Sequence, residues 1–131
     1  MASEYKPGVC NIGKEEINYR RKVVGYGSAV VGTALYMMLA FFDVPILLYL
    51  IVLVPVFISV HGFNESKHGF CTGYARSGKY NMASEVGFTQ DVISGANRKK
   101  DRAYASKLFN RSLKISIVAT AVLIALSRFL T

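Results

Sequence analysis

Charge is scarce in this sequence. Only 18% of its 131 residues are charged while 52% are hydrophobic, a balance that excludes an intrinsically disordered chain. A chain of this length forms one compact unit rather than two ordinary domains. Its 16 Lys and Arg exceed its 8 Asp and Glu, giving a net charge of +8. These charges are missing from long stretches and crowded into others, and that distribution predicts a membrane protein.

Two long runs contain no charged side chain at all, residues 23–42 and 44–64. A helix of about twenty apolar residues spans the roughly 30 Å hydrocarbon core of a bilayer. A shorter uncharged run lies between Lys114 and Arg128, whose long stems let their charged ends reach the membrane surface. Residues 112–130 therefore serve as a third span. The alternative for this run is a buried helix of a soluble protein, but its apolar character on all sides favours lipid.

The chain is thus predicted to be an all-α integral membrane protein with three transmembrane helices. Four segments follow from the runs: a polar arm (1–22), a tight transmembrane hairpin with its turn near 43–45 (23–63), a loop rich in glycine and aromatic residues (64–96), and a basic helix that continues into the third span (97–130). Asp43 favours the turn, and Pro45 suits the first turn of the second helix. Pro55 lies in the middle of the second span and predicts a kink there, with Ser59 placed to satisfy the loosened backbone.

The distribution of Lys and Arg predicts the orientation of the spans. The arm contains five of these residues, the turn near 43–45 none, residues 61–114 ten, and the tail beyond the third span only Arg128. Positive residues stay on the cytoplasmic side of a membrane. The arm and the middle segment are therefore predicted to be cytoplasmic, and the turn and Thr131 to lie outside a plasma or inner membrane.

Small residues recur at a spacing of four on two of the spans. They are Gly25, Ser28, Ala29 and Gly32 in the first span, and Ser116, Thr120, Ala121 and Ala125 in the third. Such faces allow helix backbones to approach closely within a membrane. They predict helix packing, either inside the three-helix unit or against another subunit or a second copy of the chain.

Cysteine and histidine are rare, with two of each in the chain. Cys10, His61, His68 and Cys71 are all predicted at the cytoplasmic side, and together they offer the ligands of a tetrahedral zinc site. The paired Cys-x-x-Cys and His-x-x-x-His spacings are missing, however. No cofactor is therefore expected, and zinc or another metal is the alternative. A disulfide is disfavoured because a reducing compartment keeps thiols free.

Seven cations lie in residues 98–114. They are Arg98, Lys99, Lys100, Arg102, Lys107, Arg111 and Lys114. Such a basic helix attracts anionic lipid and presents a surface for a protein partner. Nucleic acid is not expected as a partner, because no recognition module accompanies the charge.

The interiors of the spans lack Asp, Glu, Lys, Arg and His, the groups on which pumps, ion-coupled carriers and voltage sensors depend. Phosphate-loop and nucleophile-elbow motifs are missing too. We therefore expect a small non-catalytic membrane protein, an accessory or structural subunit of a larger membrane assembly with a basic cytoplasmic docking surface. The alternatives are a metal or redox protein built on the Cys/His set, and a pore-forming oligomer, for which the spans offer few lumen-lining hydroxyls.

Overall fold

Helices dominate residues 4–130, the part of the chain that the computed structural model describes. The structure is 72% helical, and three of the described helices are long and apolar enough to cross a membrane. They are α1 (Lys14–Phe41), α2 (Ile46–His68) and α4 (Gly95–Leu130); the short α3 covers Thr72–Arg76. The prediction of three apolar helices is confirmed, and these helices indicate a membrane location. Thr131 lies outside the described residues.

Residues 42–45 connect α1 to α2. Asp43 has a positive φ of 52°, a left-handed conformation that aspartate tolerates better than most residues. Pro45 directly precedes the first residue of α2. The two helices then pack along each other, with Gly32 of α1 facing Pro55 of α2.

Two stretches depart from regular α-helical geometry. Arg20–Tyr26 of α1 is π-helical, and α2 begins as a 3₁₀ helix over Ile46–Val52 before it becomes α-helical. The change of helix type therefore occurs before Pro55 rather than at it. The sequence suggests that Ser59 satisfies the backbone of its own helix. In the structure its hydroxyl instead donates to the carbonyl oxygen of Gly25 in α1 at 2.7 Å.

Aromatic side chains form the core at the turn end of the bundle. Tyr36 and Leu39 of α1 pack against Tyr49 and Val52 of α2. The Tyr36 hydroxyl donates to the carbonyl oxygen of Leu123 in α4 at 2.7 Å. This bond satisfies a polar group in apolar surroundings and connects the third helix to the first.

One edge of α4 is buried along most of its length. Leu108, Ser112, Ser116 and Thr120 follow one another at intervals of four and are all buried, because residues four apart lie on the same helix face. The predicted packing residues Ala121 and Ala125 are instead exposed. Ala121 lies one position beyond the buried edge, and a step of one residue rotates the side chain by about 100° around the helix.

The middle segment, predicted as a loop, contains short regular elements. Residues 64–68 continue α2, and Gly69 with a positive φ of 62° ends it. Beyond α3, β1 (Lys79–Tyr80) and β2 (Gln90–Asp91) form an antiparallel pair. The N-terminal arm joins this unit because Ile12 pairs with Asn81. We call residues 4–13 and 69–94 the cap.

Candidate functional site

A buried carboxylate lies at the centre of a polar network where the cap meets α1. Glu16, in the first turn of α1, is fully buried. It accepts hydrogen bonds from the Arg20 guanidinium, the Tyr74 hydroxyl at 2.5 Å, the Asn81 amide at 2.8 Å and the backbone N–H of Gly87 at 3.1 Å. A buried carboxylate is stable only when such donors replace its hydration. Glu16 thereby connects α1 with three parts of the cap.

Arg20 extends the network from α1 to α2 and to Cys71. Besides its ion pair with Glu16, its Nη2 donates to the Cys71 Sγ at 2.9 Å, and its Nε lies 3.4 Å from a carboxylate oxygen of Glu65. That last contact is an ion pair without hydrogen-bond geometry. The guanidinium also lies over the Tyr74 ring, 5.4 Å from its centroid. The buried Arg20 cation is thus paired with two carboxylates. A buried charge without such a partner is strongly destabilising.

His61 joins α2 to α3 and α4. Its Nδ1 lies 2.8 Å from the Ser112 hydroxyl of α4, and its Nε2 lies 2.9 Å from the Thr72 hydroxyl of α3. Glu65, one turn further along α2, accepts from the Thr72 backbone N–H at 2.8 Å. The His61 ring stacks on Phe57 with a centroid separation of 5.3 Å. Both ring nitrogens are therefore used in contacts between helices.

Cys71 is held by a reciprocal pair of hydrogen bonds. Its backbone N–H donates to the Asn11 side-chain oxygen at 2.7 Å, and the Asn11 amide donates to the Cys71 carbonyl at 3.0 Å. Burial raises the pKa of the Cys71 thiol, and Glu65 adds to this effect while the Arg20 charge opposes it. The thiol is therefore protonated at neutral pH and a poor nucleophile.

The Tyr74 hydroxyl is likewise protonated at neutral pH. Burial and its hydrogen bond to Glu16 raise the pKa of Tyr74 to about 12. The hydroxyl therefore acts as a donor to Glu16 under all ordinary conditions.

The structure does not bring the predicted metal ligands together. In residues 4–130, no group of three or more His, Cys, Asp or Glu side chains could hold a metal ion. His61 contacts two hydroxyl groups, His68 lies 3.4 Å from the Arg111 guanidinium, and the Cys10 thiol lies 3.6 Å from the carbonyl of Glu4. Each of these side chains has a separate partner, which the residue types alone do not reveal.

The predicted packing residues of α1 face α2 and a groove beside α4. Gly25 and Gly32 are buried against α2. Ser28 and Ala29, together with Gly32, line a groove of about 410 Å³, which also involves Tyr36 and Leu123. The small-residue stripe therefore packs in part against α2 and in part lines this groove beside α4.

The predicted basic residues of α4 are exposed, and they are Arg98, Lys99, Lys100, Arg102, Lys107, Arg111 and Lys114. Arg98 differs from the others because its guanidinium Nε donates to the carbonyl of Val92 and lies close to Gly78. It stabilises the cap rather than facing solvent freely. Lys107, Arg111 and Lys114 line a groove of about 420 Å³ on one side of the helix.

An acidic residue on α4 attaches the arm. Asp101 is buried and accepts from the Tyr5 hydroxyl and from the backbone N–H of Gly8 at 2.7 Å. Tyr5 also stacks on Tyr80, with centroids 4.5 Å apart. The cationic helix is therefore held in one position relative to the cap.

Sequence reasoning missed Glu16, Arg20 and Glu65, the charged members of the network. One signal was present: Glu16 precedes Arg20 by four residues, and His61 precedes Glu65 by four, the spacing at which helical side chains meet. The pairing of Glu16 with Asn81 has no local signal. No known protein family, curated protein or solved structure matches the chain.

Proposed function

We propose that the protein is a non-catalytic integral membrane subunit, an accessory or structural part of a larger membrane assembly, with a docking surface on α4. One observation carries this proposal. The charged and hydrogen-bonding side chains of the network contact one another, as Glu16 with its four donors illustrates, whereas the basic residues of α4 are exposed. The network then connects the helices and the cap within the protein, and α4 supplies the docking surface.

Six cations compose this docking surface: Lys99, Lys100, Arg102, Lys107, Arg111 and Lys114. A single exposed charge contributes little to binding, but several held on one rigid helix attract an acidic partner together. The buried Asp101 supports that rigidity, because it attaches α4 to the arm.

The lipid-facing surfaces also support a subunit role. Between 22% and 28% of each apolar span is buried inside the chain, so the remaining surface meets either lipid or other membrane helices. α1 and α2 form a transmembrane hairpin in this proposal, and α4 crosses alongside them.

The cap and the docking surface lie on the cytoplasmic side in this proposal, as the positive-inside rule requires. The native cysteines are poor reporters of orientation, because Cys10 and Cys71 are both buried. Exposed positions are better: Ser84→Cys in the cap and Asp43→Cys in the turn. A membrane-impermeant maleimide added outside intact cells should label the cysteine at position 43 and not the one at 84. The reverse labelling would overturn the orientation.

The docking proposal is tested by neutralising three cations of the surface. Lys99, Arg102 and Lys107 are replaced by Gln in one variant, and the exposed Lys6, Lys14 and Lys79 in a control with the same change in charge. We expect the wild type to copurify in mild detergent in a complex of fixed stoichiometry, and the first variant to lose its partner. Raised salt should weaken the wild-type complex, since exposed charges are screened within about 10 Å at 0.1 M.

Two results would contradict docking through α4. One is a wild type that migrates alone at low salt; the other is equal behaviour of the two triple variants. Element analysis of the purified protein separates this proposal from the metal-site alternative. A stoichiometric metal that is lost on replacement of His61 or Cys71 would favour that alternative.

A further inference from the structure

A pocket of about 560 Å³ opens beside the cap-side ends of α1 and α2. Three basic side chains line it, Arg21 of α1 and Lys67 and His68 of α2. Its apolar lining includes Ile17 and Phe63. The pocket therefore combines positive charge with an apolar wall.

Within residues 4–130, no carboxylate forms an ion pair with Arg21 or Lys67 of this pocket. The Arg21 guanidinium donates to the neutral amide oxygen of Asn18 at 2.9 Å, and the exposed Lys67 lines the same pocket. Among the described residues, the ion pairs of the structure involve Arg20 and His61 and none of these cations. Cations that converge without a carboxylate provide a site for an anion.

The position of the pocket points to a lipid as the source of that anion. Arg21 lies two residues before the uncharged run that begins at 23, and Lys67 lies three residues after the run that ends at 64. Both side chains are therefore placed at the boundary of the apolar spans, where phospholipid phosphates lie. Phe63 continues the pocket toward the span and contacts the exposed Tyr26 ring, 5.0 Å away between centroids. These rings offer an apolar surface for the acyl chain beside the headgroup.

We propose that this pocket binds the phosphate headgroup of an anionic phospholipid, with Arg21 and Lys67 as its principal contacts. The guanidinium of Arg21 provides paired N–H donors for phosphate oxygens, and the ammonium of Lys67 adds a second charge. The site differs from the general attraction of α4 for acidic membranes, because Arg21 and Lys67 belong to α1 and α2. It does not depend on the docking function proposed above.

The experiment uses the full-length protein in neutral detergent, with phosphatidylglycerol as the probe and phosphatidylcholine as the uncharged comparison. Thermal unfolding and native mass spectrometry measure stabilisation and retained lipid. The double variant Arg21→Gln/Lys67→Gln is compared with Lys14→Gln/Lys79→Gln, a control variant that removes the same charge from exposed positions outside the pocket and outside α4. We expect phosphatidylglycerol to raise the Tm of the wild type and of the control variant more than phosphatidylcholine does. The pocket variant should lose this difference, because a ligand stabilises only the folded state that binds it.

Three outcomes would overturn the site. The pocket variant could keep the full shift, the control variant could lose as much as the pocket variant, or millimolar inorganic phosphate could stabilise the protein as well as the lipid does. The last outcome would indicate a site for a soluble anion. If the double variant does not fold, Lys67→Gln alone serves, because Lys67 is exposed; unchanged retention of phosphatidylglycerol by that variant would also overturn the site.

Discussion

The hydroxyl of Ser59 on α2 donates to the backbone carbonyl of Gly25 on α1 at 2.7 Å. Gly25 lies inside the π-helical stretch of α1, and a Cβ added to it would approach the Phe63 ring to 2.8 Å. A close approach of backbones and a polar bond therefore occur at the same helix crossing. Small residues permit such contact in membranes, and an interhelical hydrogen bond adds about 0.6–2 kcal/mol there.

Gly62 should be the glycine least tolerant of substitution at this crossing. A Cβ at Gly62 would lie 2.7 Å from a methyl group of Val24 and 3.1 Å from the backbone oxygen of Arg20, whereas nothing lies within 4 Å of a Cβ at Gly27. Gly62→Ala should therefore lower the free energy of unfolding by about 1–3 kcal/mol through overpacking. Gly27→Ala should be neutral or stabilising, because alanine favours helix more than glycine does. Thermal unfolding in detergent checks the pair, and equal Tm values would contradict the close packing.

Glu16→Gln should be strongly destabilising. The substitution removes one of the two carboxylates around the buried Arg20 guanidinium and places an amide where several donors converge. Breaking a buried ion pair costs about 3–5 kcal/mol. The neighbouring Glu15 is exposed, so Glu15→Gln should change the free energy of unfolding by less than about 0.5 kcal/mol. Denaturant unfolding of both variants measures this, and similar losses would show that Glu16 is not central to the network.

The raised pKa of Tyr74 predicts that the stability of the folded protein depends on pH in the alkaline range. Its pKa is about 12 in the folded state against an ordinary value of 10.0, so the folded state favours the protonated phenol. The stability that this group contributes is fully present below pH 10.0 and is lost as the pH rises through about 12. The free energy of unfolding should fall with pH in this interval because the unfolded state releases its proton first.

Tyr74→Phe tests this linkage. The variant lacks the hydrogen bond to Glu16 and should be less stable than the wild type at neutral pH by about 1.5–3 kcal/mol. The difference should narrow as the pH approaches 12, since the wild type then loses the same bond. Free energies of unfolding measured across the alkaline range provide the check. A constant difference would mean that Tyr74 does not titrate as its contact with Glu16 requires.

Both native thiols should react slowly in the folded protein. Cys10 and Cys71 are each 5% exposed, and burial raises the pKa of both thiols. Little thiolate is then accessible to a maleimide at neutral pH. Labelling should become rapid in sodium dodecyl sulfate, while a Ser84→Cys variant should label rapidly in the folded state as a positive control. Rapid modification of Cys71 in the folded protein would show that the cap opens readily.

The long helices were predictable from the sequence because local composition decides them. An uncharged run in lipid must satisfy its own backbone, and a helix does so within the run. Asp43 between α1 and α2 adopts a left-handed conformation, which aspartate tolerates better than most residues. The basic segment and the third apolar run form one helix because neither proline nor glycine interrupts residues 96–130.

The cap and its network depended on contacts between distant parts of the chain. Asn81 meets Glu16 across 65 residues, Asn11 meets Cys71 across 60, and Tyr5 meets Asp101 across 96.

Tertiary structure also decided which of several residues of similar type make contacts within the protein. Arg98 binds a carbonyl while Lys99 stays exposed, and Ser116 is buried while Ala121 is not. Composition and periodicity report which residues favour a helix or a membrane. The partner of a polar side chain depends on how the helices pack, because desolvation makes each buried donor and acceptor depend on its neighbours in space.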